Sequence, residues 1–298
     1  MTPTFIPPAA ASQLDWIELT EAIAAGHDLP RAEVADTFLY RDPDTLLNRA
    51  AWIDGLGIVV KSATIFPRNT GPTIGGAVSL LSDRDGALEA ILDFHLVTYW
   101  KTAGDSLLAA RRLAPPGASR ILIVGAGTVA NSLRAAYGAA FPKARFEIWN
   151  RTADKARALA DQHPDTVAVT DLPEAVGRAD IVTSATMSTD PVISGAWLRP
   201  GQHIDLIGAY RPDMREVDDL ALTRARIFVD SRDTTMGHIG ELKIPLEAGT
   251  IGPDDIVADY YDLDRFTRSP EDITLFKNGG GAHLDLMTCK YIQSVLKP

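Results

Sequence analysis

The chain has 298 residues, 46% of them apolar and 23% charged, with a formal net charge of −10. That composition fits a globular protein with enough length for two ordinary domains, and the acid excess argues against nucleic acid, which needs a basic face. No apolar run reaches the roughly twenty residues of a transmembrane helix, and the first residues lack a signal-peptide pattern. The single Cys289 excludes an internal disulfide, and no CxxC or HExxH pair occurs. The expectation is a cytoplasmic chain with no membrane contact and no metal site.

In chain order, Leu14 to His27 carries apolar residues at helical spacing and ends at a glycine. Short β-type runs follow: ADTFLY, TLLNRAAWI, LGIVVKSATIF, then two strands around the turn SDRDG. Residues 30–95 therefore predict an antiparallel sheet. HLVTYWKTAGDSLLAARRLA predicts a helix that stops near the break at Pro115 to Gly117. Beyond it the rhythm changes to RILIVG, RFEIWN, TVAVT, DIVTSAT, HIDLIGA, RIFVDS and ITLFKN, short apolar strands separated by helical or loop segments. Such alternation predicts a doubly wound parallel sheet of Rossmann type. A closing helix, HLDLMTCKYIQSVL, is assigned to the first domain. The predicted architecture is α/β: a smaller α+β domain over residues 1–115 with 282–298, and a Rossmann domain over 116–281.

ILIVGAGTVANSL places Gly125, Gly127 and Ala130 in a G-x-G-x-x-A pattern between a strand and a helix that opens with Thr128 and Val129. Gly125 permits the tight turn, Gly127 lets backbone approach a pyrophosphate, and Ala130 allows close helix packing. At the end of the next strand, where an NAD-binding sheet has an acidic residue for the ribose 2′-hydroxyl, stand Asn150, Arg151 and Thr152. A guanidinium grips a 2′-phosphate that a carboxylate would repel, and Thr152 is placed to cap the following helix. NADP(H) is therefore expected in preference to NAD(H). Thr183 to Ser188, with Thr186 and Met187, falls at the carboxyl edge of the sheet, where a dinucleotide crosses; ordinary loop chemistry accounts for these residues nearly as well.

The order VVKSATIFPRN, KTAGDSLLAA, VGAGTVA, WNRT, IGAYRPDMRE and ITLFKNGGGAHLD resembles the ornithine cyclodeaminase/μ-crystallin family over nearly the whole chain. The resemblance implies a homodimer, a substrate and dimerisation domain, an inserted Rossmann domain, and chemistry at an imine carbon beside a carboxylate. By position, Lys61 matches the family lysine at the substrate carboxylate and imine. Taken alone, Lys61 is either a partly desolvated proton donor or a stem packed on the sheet with its head in water. Thr73 matches a threonine near the nicotinamide. Lys101 stands where most members have Arg, which keeps the charge but loses the bidentate fork. Arg41 is the candidate for the arginine that binds the substrate carboxylate, with Arg49 close by. Gly281, in GGGAHLD, borders the site, and His283 is either a proton donor or structural.

The informative departure is Tyr210, where cyclodeaminases place a catalytic Asp. A tyrosine is neutral at pH 7 and does not serve as that base. It either bonds the substrate or packs beside the cofactor; nothing in the sequence shows that Asp213 or Glu216 replaces the lost group. The resulting expectation is an NADPH-dependent reductase that converts a small cyclic or 2-imino carboxylate, of the Δ1-pyrroline-2-carboxylate or ketimine type, to an L-amino acid. Ornithine cyclodeamination is the alternative, as is an iminosuccinate or alanine-dehydrogenase-like activity, for which Arg68 would hold a second carboxylate.

Overall fold

The computed structural model describes residues 3–296 and divides into two compact units, Met1–Lys101 with Gly280–Pro298, and Thr102–Gly279. The chain runs through β1 (Thr4–Ile6), α1 (Trp16–Gly26), β2 (Glu33–Arg41), β3 (Asp44–Ile53), β4 (Gly57–Ile65), β5 (Ile74–Leu81), β6 (Leu88–Asp93) and α2 (Phe94–Leu113). It continues with β7 (Arg120–Val124), α3 (Thr128–Ala140), β8 (Arg145–Trp149), α4 (Ala153–Ala160), β9 (Thr166–Ala168), α5 (Leu172–Arg178), β10 (Ile181–Ser184) and β11 (His203–Leu206). Then follow α6 (Asp219–Arg224), β12 (Arg226–Val229), α7 (Arg232–Thr235), α8 (Gly240–Glu247), β13 (Ile256–Ala258), β14 (Thr274–Lys277) and α9 (Ala282–Leu296). Among the described residues, no helix is long and apolar enough to cross a membrane.

In unit 1, β2 to β6 form an antiparallel meander, and β1 joins it in parallel beside β6. The reading of the sequence had no strand at β1. Three residues carry no periodic signal, and this strand exists because β6 offers a partner and Ile6 finds a buried site. Along β4, Gly57, Val59, Lys61 and Ala63 alternate onto the buried face. Helix α9 packs on β3 and β4 and is buried on almost every side from Ala282 to Gln293. Its polar residues, Asp285 among them, therefore need partners inside the protein. Gly26 of α1 allows the close approach: a Cβ there would lie 2.6 Å from the Met287 side chain.

Unit 2 is an eight-stranded, wholly parallel sheet in the order β13-β12-β14-β11-β10-β7-β8-β9. From β7 the chain winds outward through β8 and β9, then returns to start the other half at β10, so the strand order reverses between β7 and β10. Ligands of open α/β sheets bind in the crevice at such a reversal, outside the carboxyl ends of the strands. The strands are buried on both faces, and Leu122, Val124, Val182, Ile204, Leu206, Ile227 and Leu275 belong to one core. Each contributes about 2 kcal/mol relative to exposure. The boundary between units falls inside α2, at Lys101/Thr102, rather than at the Pro115–Gly117 break. The second half of α2 is tied into unit 2: Asn278 donates to the Thr102 carbonyl and Ser106, Tyr260 to the Asp105 carbonyl, and Arg268 and Thr274 to the Leu113 carbonyl.

Candidate active site

Two constellations stand out, one in each unit. In unit 1, Lys61 is 6% exposed and its Nζ donates to Asp285 Oδ1 at 2.9 Å. It also lies 4.9 Å from the centre of the Phe94 ring. The solvated lysine head, one of the two readings of Lys61, is thus replaced by a buried ion pair from strand to helix. The β3–β4 register sets Arg49 directly opposite Lys61, and direct cross-strand partners project on the same face. Arg49 donates to the Gly280 carbonyl at 2.9 Å, and Lys101 reaches the same carbonyl at 3.0 Å. Gly280 adopts a φ of +68°, a conformation that favours glycine, and this backbone geometry turns its carbonyl toward both cations. Gly281, expected to border the site, is buried, and its carbonyl accepts from the Leu284 N–H.

Arg41 does not join this cluster. It ends β2, its side chain is 78% exposed, and it pairs with Asp44 across the hairpin. Arg49 takes the place that sequence order suggested for Arg41, because the hairpin register, which Arg41 meets at its end, decides which arginine faces Lys61. Arg49 also pairs with Asp36 at 2.7 Å. Thr73 lies exposed just before β5, with its carbonyl accepting from Phe66 N–H, and Arg68 is exposed.

Electrostatics sharpen the picture. Burial pushes the Asp285 carboxyl up, but the charges of Lys61, Lys101 and Arg49 outweigh it and hold the group below the ordinary value. His283 and His27 meet edge to face with centroids 5.3 Å apart. Burial, then the neighbouring His27 and Lys101, push His283 well below its usual range, and burial lowers His27 to about 4. His283 is therefore neutral at pH 7 and does not carry the cationic proton that a general acid would deliver.

In unit 2, Gly125 turns at φ +115° directly after β7, and a Cβ there would lie 2.9 Å from the Ala185 carbonyl oxygen. Gly127 is the N-cap of α3 with no side-chain cap, and a Cβ at that position would project into open space. Thr128 is exposed and Val129 half-buried at the start of α3. The arrangement fits a dinucleotide: bare helix N–H groups face a gap that no side chain fills. A cavity of about 390 Å³ adjoins Gly127 and is also lined by Asn131, Lys155 and Gln162.

After β8, Asn150 Nδ2 donates to the Thr152 carbonyl, and Arg151 is exposed. Thr152 occupies the N-cap of α4, but its hydroxyl makes no cap bond, contrary to the expectation. At the edge of β10, Thr186 commits both its N–H and its hydroxyl to Glu216, while Met187 is 74% exposed. Tyr210 is 58% exposed with the Arg211 guanidinium 5.9 Å from its ring centre. Asp213 pairs with Arg211 at the surface, so it does not stand in for a catalytic Asp at position 210. Asp285 and Glu216 are the polar residues that sequence reasoning did not assign. Asp285 lies 224 positions from Lys61, and no local pattern reports such a pairing.

A sequence model of the ornithine cyclodeaminase/mu-crystallin family matches residues 57–297. The chain is 49% identical over 299 residues to a Δ(1)-pyrroline-2-carboxylate reductase of Paracoccus denitrificans, covering 96% of this chain and 95% of the relative. It is 34% identical to the ketimine reductase mu-crystallin of Rattus norvegicus, covering 75% and 70%. Among solved structures, the Δ(1)-pyrroline-2-carboxylate reductase of Thermococcus litoralis with NADH and L-proline shares the fold, with a TM-score of 0.88, 22% identity, and 98% and 97% of the two chains covered.

Proposed function

The chain belongs to the ornithine cyclodeaminase/mu-crystallin family, and on that premise we propose that it is an NADPH-dependent reductase of a small 2-imino or cyclic-imine carboxylate. Δ1-Pyrroline-2-carboxylate is the preferred substrate and L-proline the product. The observation that carries this reading is the grouping of half-buried Arg49 with buried Lys61 and Lys101 beside Asp285. Within the group Lys61 pairs with Asp285 and Arg49 with Asp36. Cations clustered in this way suit a substrate carboxylate. The exposed Arg68 adds nothing to the group.

Arg49 and Lys101 hold the substrate carboxylate, the guanidinium contributing paired N–H donors. Lys61, paired with Asp285, delivers the proton to the imine nitrogen and regains it from solvent. Bound nicotinamide supplies the hydride that reduces the C=N carbon. Gly125 and Gly127 receive the pyrophosphate, Asn150, Arg151 and Thr152 the 2′-phosphate, and the edge carrying Thr186 and Met187 the nicotinamide half. Tyr210 supplies no carboxylate of the kind that deamination needs, so cyclodeamination is not expected.

Unit 1 supports the reading as a homodimer. All nine residues of the edge strand β2 are exposed, including Phe38, Leu39 and Tyr40, and an uncovered apolar edge of this kind is an aggregation hazard unless a second chain covers it. Sedimentation at micromolar concentration gives twice the chain mass if this holds.

The functional test follows NADPH and NADH oxidation with Δ1-pyrroline-2-carboxylate, alongside ornithine with NAD. Faster oxidation of NADPH, with L-proline formed, is the expected result. Proline and ammonia from ornithine, with no net cofactor change, would overturn it.

A further inference from the structure

Glu216 lies in the segment after β11 and is fully buried. Its Oε1 accepts from Ser184 Oγ at 2.6 Å, Thr186 N–H at 2.8 Å and Thr186 Oγ1 at 3.0 Å. Its Oε2 accepts from Gly208 N–H at 2.6 Å and Ala209 N–H at 3.1 Å. One carboxylate thus gathers five donors from two loops, those that leave the carboxyl ends of β10 and β11. A second fully buried acid supports it from below: Glu241, in the first turn of α8, accepts from the backbone N–H of Glu216 and of Val217.

The loops so tied are packed backbone on backbone. A Cβ on Gly208 would lie 1.9 Å from the Thr186 carbonyl oxygen, and Gly125 abuts Ala185 in the same way. The phosphate loop after β7, the loop after β10 and the loop after β11 form one stack at the strand-order reversal, with Glu216 joining the second to the third. A side chain saturated by internal donors is not placed to exchange protons with a substrate. It is placed to hold loops against displacement, because losing it would strand three backbone N–H groups in a dry interior.

We propose that Glu216 is a positioning residue for the redox cofactor: its carboxylate fixes the loops after β10 and β11 that receive the nicotinamide half of the dinucleotide. This rests on the reading above that unit 2 binds a nicotinamide dinucleotide. The same geometry assigns no role to Glu216 at the adenine half, which belongs to the loops after β7 and β8. The two halves of the cofactor therefore respond differently to its replacement.

The test uses the full chain and two probes, NADPH, and adenosine 2′,5′-bisphosphate, which carries the adenine end without nicotinamide. In Glu216→Gln the amide presents its NH2 to donors that need an acceptor. The dissociation constant for NADPH rises about tenfold or more, that for the bisphosphate stays within about twofold, and the KM of NADPH rises while that of the imine does not. Equal weakening of both probes shows a merely structural residue and overturns the proposal, as does no change in either. If Glu216→Gln does not fold, Ser184→Ala decides, because Ser184 is fully buried and touches the site through Glu216. It is expected to weaken NADPH about threefold and to leave the bisphosphate unchanged, and equal effects on both overturn the proposal again. A wild-type chain that binds neither probe overturns the functional reading and this inference together, an outcome distinct from loss confined to the variants.

Discussion

Unit 1 gathers buried Lys61 and Lys101 and half-buried Arg49 around Asp285, with a pair of neutral histidines alongside. Unit 2 buries more carboxylates, Glu216 and Glu241 back to back and Asp205 under Thr183 and Tyr137, together with the fully buried Lys277. In unit 2 the acids accept from backbone N–H and hydroxyl groups whose positions the fold already sets, so they consolidate loops. In unit 1 Lys61 meets Asp285, and Arg49 and Lys101 meet at the Gly280 carbonyl. Unit 1 thus gathers cations on one face, where the proposed substrate site lies, whereas the buried acids of unit 2 hold loops together.

The sharpest way to break this comparison is Lys61→Met. It removes the proposed proton donor, and kcat/KM for the imine is expected to fall about 10³-fold with NADPH affinity unchanged. It also leaves Asp285 buried without its closest cation, which costs about 3 kcal/mol or more of stability. Denaturant melts and steady-state kinetics on the same preparation read both effects. An active Lys61→Met removes the assignment of Lys61.

The next effect is one of pH, and its sign differs between the units. His27 falls from 6.5 to about 4 on folding, chiefly by burial. Its contribution to stability is complete above pH 6.5 and is lost as pH falls toward 4, a loss of roughly 3 kcal/mol. Glu241 rises from 4.5 to about 7, first by burial and then by the charge of Glu216. Its contribution is complete below pH 4.5 and is lost as pH climbs through 7, with a similar magnitude. Hydrogen exchange, corrected for intrinsic rates, should therefore show α1 and α9 loosening toward acid and α8 loosening toward neutral pH. Glu241→Gln should flatten the second trend; if α8 still loosens in that variant, another group is responsible.

A smaller effect separates the two arginines. Arg49→Ala should raise the KM for the imine about 30-fold, the worth of a charge-assisted pair, whereas Arg41→Ala should stay within about twofold, as expected of an exposed ion pair. A larger penalty at Arg41 than at Arg49 would return the carboxylate to the hairpin end. The smallest effect is on cofactor choice. Arg151→Ala is expected to cut the NADPH-over-NADH preference about tenfold without altering the rate with NADH, and an unchanged ratio would end the 2′-phosphate assignment.

Much of the architecture was legible because it is local. The parallel sheet announced itself in short apolar strands at regular intervals, and the phosphate loop in glycines at fixed spacing between a strand and a helix. The alternation of β4 was visible too, and with it the face on which Lys61 lies. β1 was not legible, since three residues become a strand when a neighbouring edge is available. The halfway change of allegiance in α2 was hidden for the same reason: periodicity marks a helix but not what each of its turns touches.

The pattern of residue types along the chain determined the two-part plan, the glycine loop, the basic residue at the end of β8 and the absence of a carboxylate at position 210. Tertiary structure alone decided that Arg49 rather than Arg41 stands beside Lys61, that Asp285 neutralises it from 224 positions away, and that Glu216 is a clamp rather than a base. The physical reason is range. Steric preference and amphipathic spacing act over a few residues and are written in sequence order. The energy of a buried charge depends on what lies within a few ångströms of it, and that is set only when distant strands and helices have packed.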